Sequence, residues 1–308
     1  MKSLSFGKIN KKLPQYISKI FIHLLLIGLA FVFLYPFLYM LSTSIKSYND
    51  INNILVKWIP REFNFRNYEL AFATLNFKNS FVNSLLVAVL TTIGHVLSCS
   101  LIGYGLARYN FRFKGILFAF VIISVIVPVQ TIIIPLYLNY MNLHMYDTYL
   151  PFIVPSFLGV GLRGGLFTFL FYQYFIKFPK SLEEAAEIDG SSPYKTFFKI
   201  AFPAASSVTI VAIVLSVVWH WNDFYEPSIY LSPVGKGTLL PQMLPQMYDI
   251  IQSAKNTTDR NLLEMKTKYH EGVIMAGTVL ATVFLPAMYL FLQRKFVEGI
   301  ETSGITGE

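Results

Sequence analysis

Residues 20–41 read IFIHLLLIGLAFVFLYPFLYML, an apolar run without a charged side chain. At 1.5 Å per residue, about 20 such residues cross the ~30 Å hydrocarbon layer of a bilayer. A cleavable signal peptide also follows basic residues, but its apolar core is about 7–15 residues long and leads to a small-residue cleavage site. The run is too long for that and predicts a membrane-spanning helix. Working outward, the same window test predicts five more spans near 81–107, 115–136, 150–175, 203–223 and 272–293. The expected fold class is therefore all-α and integral to the membrane, with six transmembrane helices. Composition agrees: 54% of residues are hydrophobic and 14% charged, against about 25% charged in an average soluble domain. A soluble enzyme, a disordered tail and a secreted disulfide domain are excluded. The single cysteine, Cys99, has no internal disulfide partner.

The net charge of +8 invites nucleic acid as a partner, but basic residues in a membrane protein usually mark cytoplasmic loops. Lys2, Lys8, Lys11, Lys12 and Lys19 precede the first span, which places the N-terminal segment 1–19 in the cytoplasm. Six spans return the tail 294–308 to the same side. Three loops then lie outside: about 43–80, with Trp58, Pro60 and Tyr68; about 142–149; and about 224–271. The spans and their loops form one expected permease domain, 20–293.

Between the fourth and fifth spans, residues 179–203 read PKSLEEAAEIDGSSPYKTFFKIAFP. Ser181 followed by Glu184 fits a capping box. Glu183 and Glu184 suit the positive end of a helix dipole, and Ala185 and Ala186 favour helix. Gly190 can end the helix in a left-handed conformation. Ser192 with Pro193 reads as a second helix start. The result is a helix–turn–helix elbow, either a docking knob for a cytoplasmic protein or a well-capped linker.

The elbow resembles the EAA loop of ABC-importer membrane subunits, whose pattern is E-A-A, three residues, G, nine residues, I-x-L-P. Here it is Glu184-Ala185-Ala186, Gly190, then Ile200-Ala201-Phe202-Pro203, with Phe202 in place of Leu. The likeness extends along the chain to the six-span, maltose-permease-type subunits of the carbohydrate branch. It rests on Asn79 to Ser84, Gly103 to Arg108, Trp221 to Phe224 and Gln293 to Gly299; the outside stretch between about Leu244 and Lys268 is longer than that pattern. The resemblance implies the permease subunit of an ATP-driven importer for a sugar or oligosaccharide, multi-pass in a bacterial plasma membrane. Its implied partners are a second permease subunit in a heterodimer, two ATPase subunits, an extracytoplasmic solute-binding protein and membrane lipid. Nucleic acid is not among them. The elbow would sit in the ATPase, with Glu184, Ala185, Ala186, Asp189, Gly190, Ile200 and Pro203 as the coupling residues. A non-sugar cargo such as a polyamine or peptide is the nearer rival.

No G-x-x-x-x-G-K-[S/T] loop is present, so this chain is expected to bind no cofactor, with ATP and Mg on the partner ATPase. No nucleophile–base set suggests an enzyme, and no histidine has a metal-ligand partner; His95 and Cys99 read as a buried structural pair. A self-contained secondary transporter needs ionisable groups within its spans, and only Arg163 qualifies. Arg163 faces either a translocation pathway or subunit interface, or the outer surface. Gly159 to Gly164 spells G-x-G-x-x-G, but inside an apolar span it reads as close packing or a break. Trp219 and Trp221, with Asn222, suit an interfacial belt or a sugar route. Gln130 lines a pore or bonds to a neighbouring helix.

Overall fold

The computed structural model describes residues 13–232, 237–255 and 267–303. Lys2, Lys8, Lys11 and Lys12, the end of the tail at 304–308, and part of the long third loop (256–266) lie outside the described residues. Backbone contacts divide the chain into two units, Met1–Ala71 with Ile251–Val279 and Phe72–Ile250 with Leu280–Glu308.

In the first unit the opening apolar run is one helix, α1 (Leu13–Ser44), about 48 Å long at 1.5 Å per residue and continuous through Pro36. Its side chains from Tyr16 to Tyr39 are exposed, which suits contact with lipid or another apolar surface. The loop after it is folded. It holds α2 (Tyr48–Ile51) and leads into α3 (Arg66–Thr74). The buried Asn67 amide donates to the carbonyls of Ser44 and Lys46, at 2.9 and 2.8 Å. The Asp50 carboxylate accepts from the Arg61 N–H at 2.9 Å, and Trp58 packs edge-on against Tyr35.

The second unit is built around α4 (Phe77–Arg108), the expected second span. The expected third span is not straight. It is α5 (Lys114–Ile126) and α6 (Val129–Asn142), meeting at 106°. The cause is Pro128 at the junction: proline pushes the residue before it out of the helical region, and Val127 is extended. The expected fourth span is likewise divided into α7 (Leu150–Phe157) and α8 (Gly164–Lys177). Gly159, Gly161 and Arg163, all with positive φ, lie in the break. The G-x-G-x-x-G reading as a break thus holds. Helix α4 satisfies the backbone freed there. Ser98 donates to the Ser156 carbonyl at 2.7 Å, the His95 ring bonds the Val160 carbonyl at 3.0 Å, and the Cys99 thiol donates to the Gly164 carbonyl at 3.4 Å.

The elbow comprises α9 (Lys180–Ile188), α10 (Pro193–Thr196), a π-helical stretch Phe197–Ala201 and α11 (Phe202–Ala204). A 76° bend then leads into α12 (Ser206–Asn222), in the place of the expected fifth span. Helices α13 (Tyr225–Tyr230) and α14 (Leu240–Lys255) occupy the described part of the third loop. The chain ends in α15 (Glu271–Thr282) and α16 (Phe284–Ser303). Among the described residues three helices are long and apolar enough to cross a membrane, and two bent pairs add up to two more.

The core of the second unit joins α4, α8, the elbow and α12 through Cys99, Tyr104, Phe167, Phe171, Phe175, Phe197, Ala201 and Val208. Close approach of α4 to α8 depends on Gly103. A Cβ there would stand 2.8 Å from Phe171 Cβ and from the Tyr172 nitrogen, whereas one on Gly105 would meet nothing within 4 Å. Gly103→Val is therefore expected to collapse the yield of monodisperse protein in size-exclusion chromatography, and Gly105→Ala to preserve it.

Candidate functional site

The elbow forms as its sequence dictates, with one change. Helix α9 starts at Lys180, with Pro179 as the capping residue and no side-chain cap. Ser181 is thus inside the first turn, and the expected capping box is not made. The C-terminal stop is as expected. Gly190 has φ +74°. The Gly190 N–H donates to the Glu187 carbonyl at 3.0 Å and the Ser191 N–H to the Ala186 carbonyl at 2.9 Å, the paired bonds of a Schellman motif. Ser192 caps the next helix by accepting from the Lys195 N–H.

These bonds fix two faces. Ala186, Thr196, Phe197 and Ala201 are buried, and Ile200 packs against the same core. Glu184, Ala185, Asp189, Gly190 and Pro203 are exposed. Ile188, 86% exposed, lies between Glu187 and Asp189 in the sequence, and Tyr194 in α10 is 70% exposed. Exposed acids and exposed apolar side chains on the elbow are thus available to a partner carrying basic and apolar groups. Behind them, Phe197 meets the Tyr104 ring at 5.1 Å, so the tip is packed directly onto the second span.

Arg108 strengthens that link. Its Nε donates to Glu183 Oε1 at 2.8 Å and its Nη2 to the Phe178 carbonyl at 2.6 Å. Both side chains are largely buried, at 6% and 13% exposure. Sequence reasoning assigned Glu183 only to the helix dipole and left Arg108 without a role. The available signal was a lone basic residue ending an apolar span.

A second feature is a cavity of about 880 Å³ in the second unit. Gln130, Arg163, Trp219 and Asn222 all line it. The Arg163 guanidinium lies over the Trp219 ring, 5.5 Å from its centre. Trp221 is not with them. It is buried, stacks on Phe284 at 4.2 Å and donates its Nε1–H to the Ala281 carbonyl at 3.0 Å, so its place is structural packing. The cavity also receives two acids, Asp223 and Glu226. Glu226 is 7% exposed. Burial, with the Asp223 charge adding, pushes its carboxyl up to about 8.

A spanning scaffold, a two-faced elbow and a largely apolar cavity carrying a few polar and charged groups together suit a membrane transport subunit. The family described as "Binding-protein-dependent transport system inner membrane component" matches residues 99–301, and the chain belongs to it. Relatives are similar over most of their length. The chain is 28% identical to the arabinooligosaccharides transport system permease protein AraQ of Bacillus subtilis, over 96% of this chain and 98% of that one. It is 30% identical to the probable ABC transporter permease protein PH1036 of Pyrococcus horikoshii, over 89% and 92%. It is 28% identical to the melibiose/raffinose/stachyose import permease protein MelC of B. subtilis, over 88% and 91%. A chain in the crystal structure of a bacterial ABC transporter that imports the acidic polysaccharide alginate shares the fold, with TM-score 0.75 and 18% identity over 92% of this chain and 97% of that one.

Proposed function

We propose that this chain is the permease subunit of an ABC importer for a sugar or oligosaccharide, with the elbow as the seat of a partner ATPase. The observation that carries the reading is the two-faced elbow: its tip is exposed while Phe197 and Ala186 are buried, so a displacement imposed on the tip moves the span core. Glu184 and Asp189 offer charge, Ala185 permits close approach, and Gly190 shapes the turn. Ile200 and Pro203 join the elbow to α12. ATP must favour one state of the complex through contacts that differ between states, and the tip is where this chain meets them. The ATP and Mg belong to the ATPase. In this reading the elbow and both termini are cytoplasmic, a second permease subunit completes the route, and an external binding protein delivers the solute. The cargo class is supported by relatives named for arabinooligosaccharides and for melibiose, raffinose and stachyose. A relative named for sn-glycerol-3-phosphate transport makes a non-sugar solute the rival.

Pull-down of the tagged chain in mild detergent, followed by mass spectrometry, tests this. The expected result is co-recovery of an ATPase and a second multi-span subunit, with a binding protein whose purified form binds sugars. Recovery of the chain alone, under conditions that keep a known importer intact, would overturn it. A binding protein specific for a non-sugar solute would establish the rival cargo.

A further inference from the structure

We infer that Asp223 and Glu226 form a hydroxyl-recognition pair that makes this chain's wall of the route selective for uncharged, hydroxyl-rich solutes. The inference rests on the transport reading above and adds to it a solute property and the residues that read it.

The cavity is lined at this end by Trp219, Asn222, Asp223, Tyr225, Glu226 and Tyr230. Asp223 caps the end of α12, and its Oδ1 accepts the Tyr225 and Glu226 backbone N–H groups at 3.0 and 3.4 Å. Burial pushes its carboxyl up to about 6 and those bonds oppose the shift, so it is held in place and is mostly ionised at neutral pH. Glu226 follows in α13, and among the described residues its carboxyl makes no hydrogen bond or ion pair. The Tyr230 hydroxyl is also buried without a partner. A buried hydroxyl left unpaired is costly, so a hydrogen-bond partner reaching Tyr230 from the cavity would be stabilising.

The chemistry of the pair selects what completes it. With its carboxyl pushed up to about 8 by burial, Glu226 carries a proton at neutral pH and donates, while the Asp223 carboxylate only accepts. A hydroxyl accepts from the first and donates to the second. A solute carboxylate has no proton for Asp223 and is repelled by it. An ammonium has no lone pair for Glu226. The Trp219 and Tyr225 rings supply flat faces beside these groups, and Arg163 is engaged over Trp219. Sites that hydrogen-bond a hydroxyl reject analogues lacking it far more strongly than apolar pockets distinguish size.

The test is equilibrium dialysis of the purified complex of permease and ATPase subunits, without binding protein, against labelled maltotriose, raffinose, arabinotriose, trigalacturonate and spermidine. At least one uncharged trisaccharide should be retained at least tenfold more tightly than trigalacturonate and spermidine. Glu226→Gln, whose amide still donates, should stay within about twofold of the parent. Glu226→Leu and Asp223→Asn should weaken retention at least fivefold. Co-purification of the partners and basal ATP hydrolysis serve as the folding readouts. Equal retention of trigalacturonate, preference for spermidine, no retention of any uncharged trisaccharide, or unchanged retention by Glu226→Leu would each overturn the inference. ATP-driven uptake with the binding protein present, measured in parallel in proteoliposomes, reads the importer assignment separately. Sugar uptake that is insensitive to both residues leaves that assignment standing while the inference fails.

Discussion

Gly190→Trp is expected to abolish ATP-driven uptake while leaving the chain in the membrane, and Glu184→Lys to do the same. Glycine is needed here for two separable reasons. Its φ of +74° disfavours an L side chain by about 1–2 kcal/mol. Yet a Cβ at this position meets nothing within 4 Å inside the chain. A large side chain therefore costs the fold little more than that strain, and its bulk projects into the space a docked partner fills. A loss of about 2.8 kcal/mol in docking is about a hundredfold in affinity, enough to impair transport severely. Gly190→Asn separates the causes, because asparagine tolerates the left-handed region and adds little volume. It should retain most uptake. Glu184→Lys reverses a charge on the same exposed tip without touching the core. Surface expression and vesicle uptake measured together decide the matter; wild-type uptake by the Trp and Lys variants would remove the elbow from the coupling path.

Arg108→Gln is expected to uncouple the complex: ATP hydrolysis persists and uptake falls at least tenfold. Removing one member of a buried ion pair costs about 3–5 kcal/mol because the remaining charge stays buried and unpaired. Here the loss falls on the joint between α4 and α9. Arg108 holds both Glu183 and the Phe178 carbonyl, so its loss frees the start of the elbow from the second span, while Phe197 still anchors the far end. Energy spent at the tip then bends the joint instead of moving the span. Glu183→Gln should produce a milder form of the same defect, since the Phe178 bond survives. The exchanged pair, Arg108→Glu with Glu183→Arg, should recover part of the uptake. Full uptake by Arg108→Gln would show that the pair is mere packing.

The sequence carried the class of fold and the elbow with little ambiguity, and the reasons are local. An apolar window measures burial in lipid directly. Gly190, Ser192 and Pro193 act through backbone geometry within a few residues of themselves. Ser181 shows the limit: with Pro179 as the capping residue the helix begins two residues early, and the cap was lost. What escaped is directional or distant. A hydropathy window totals apolar content and is blind to a 106° turn between two apolar helices, although Pro128 marked the place. Arg108 and Glu183 are 75 residues apart, and nothing in either neighbourhood announces the other. Trp219 and Trp221 looked equivalent, yet a two-residue step on a helix turns the side chain about 200°. One faces the cavity and the other the packed interior. Glu226 drew no reading from the sequence, because its burial is a tertiary fact.

The stretch Phe197–Ala201 has a mechanical meaning of its own. In π-helical pairing each N–H reaches one residue further back than in an α-helix, as the Phe202 N–H does in bonding the Phe197 carbonyl. The stretch therefore stores one residue of slack at the root of the fifth span. Tightening it to α-helical pairing would release that residue, about 1.5 Å of rise and 100° of rotation about the elbow's own axis, without breaking the chain. The joint between elbow and span is thus a length reserve: it can take up a small displacement as an advance and turn of the elbow's last helical segment, before the 76° bend into α12, while the aromatic packing of Phe197 against Tyr104 and Phe175 holds its base.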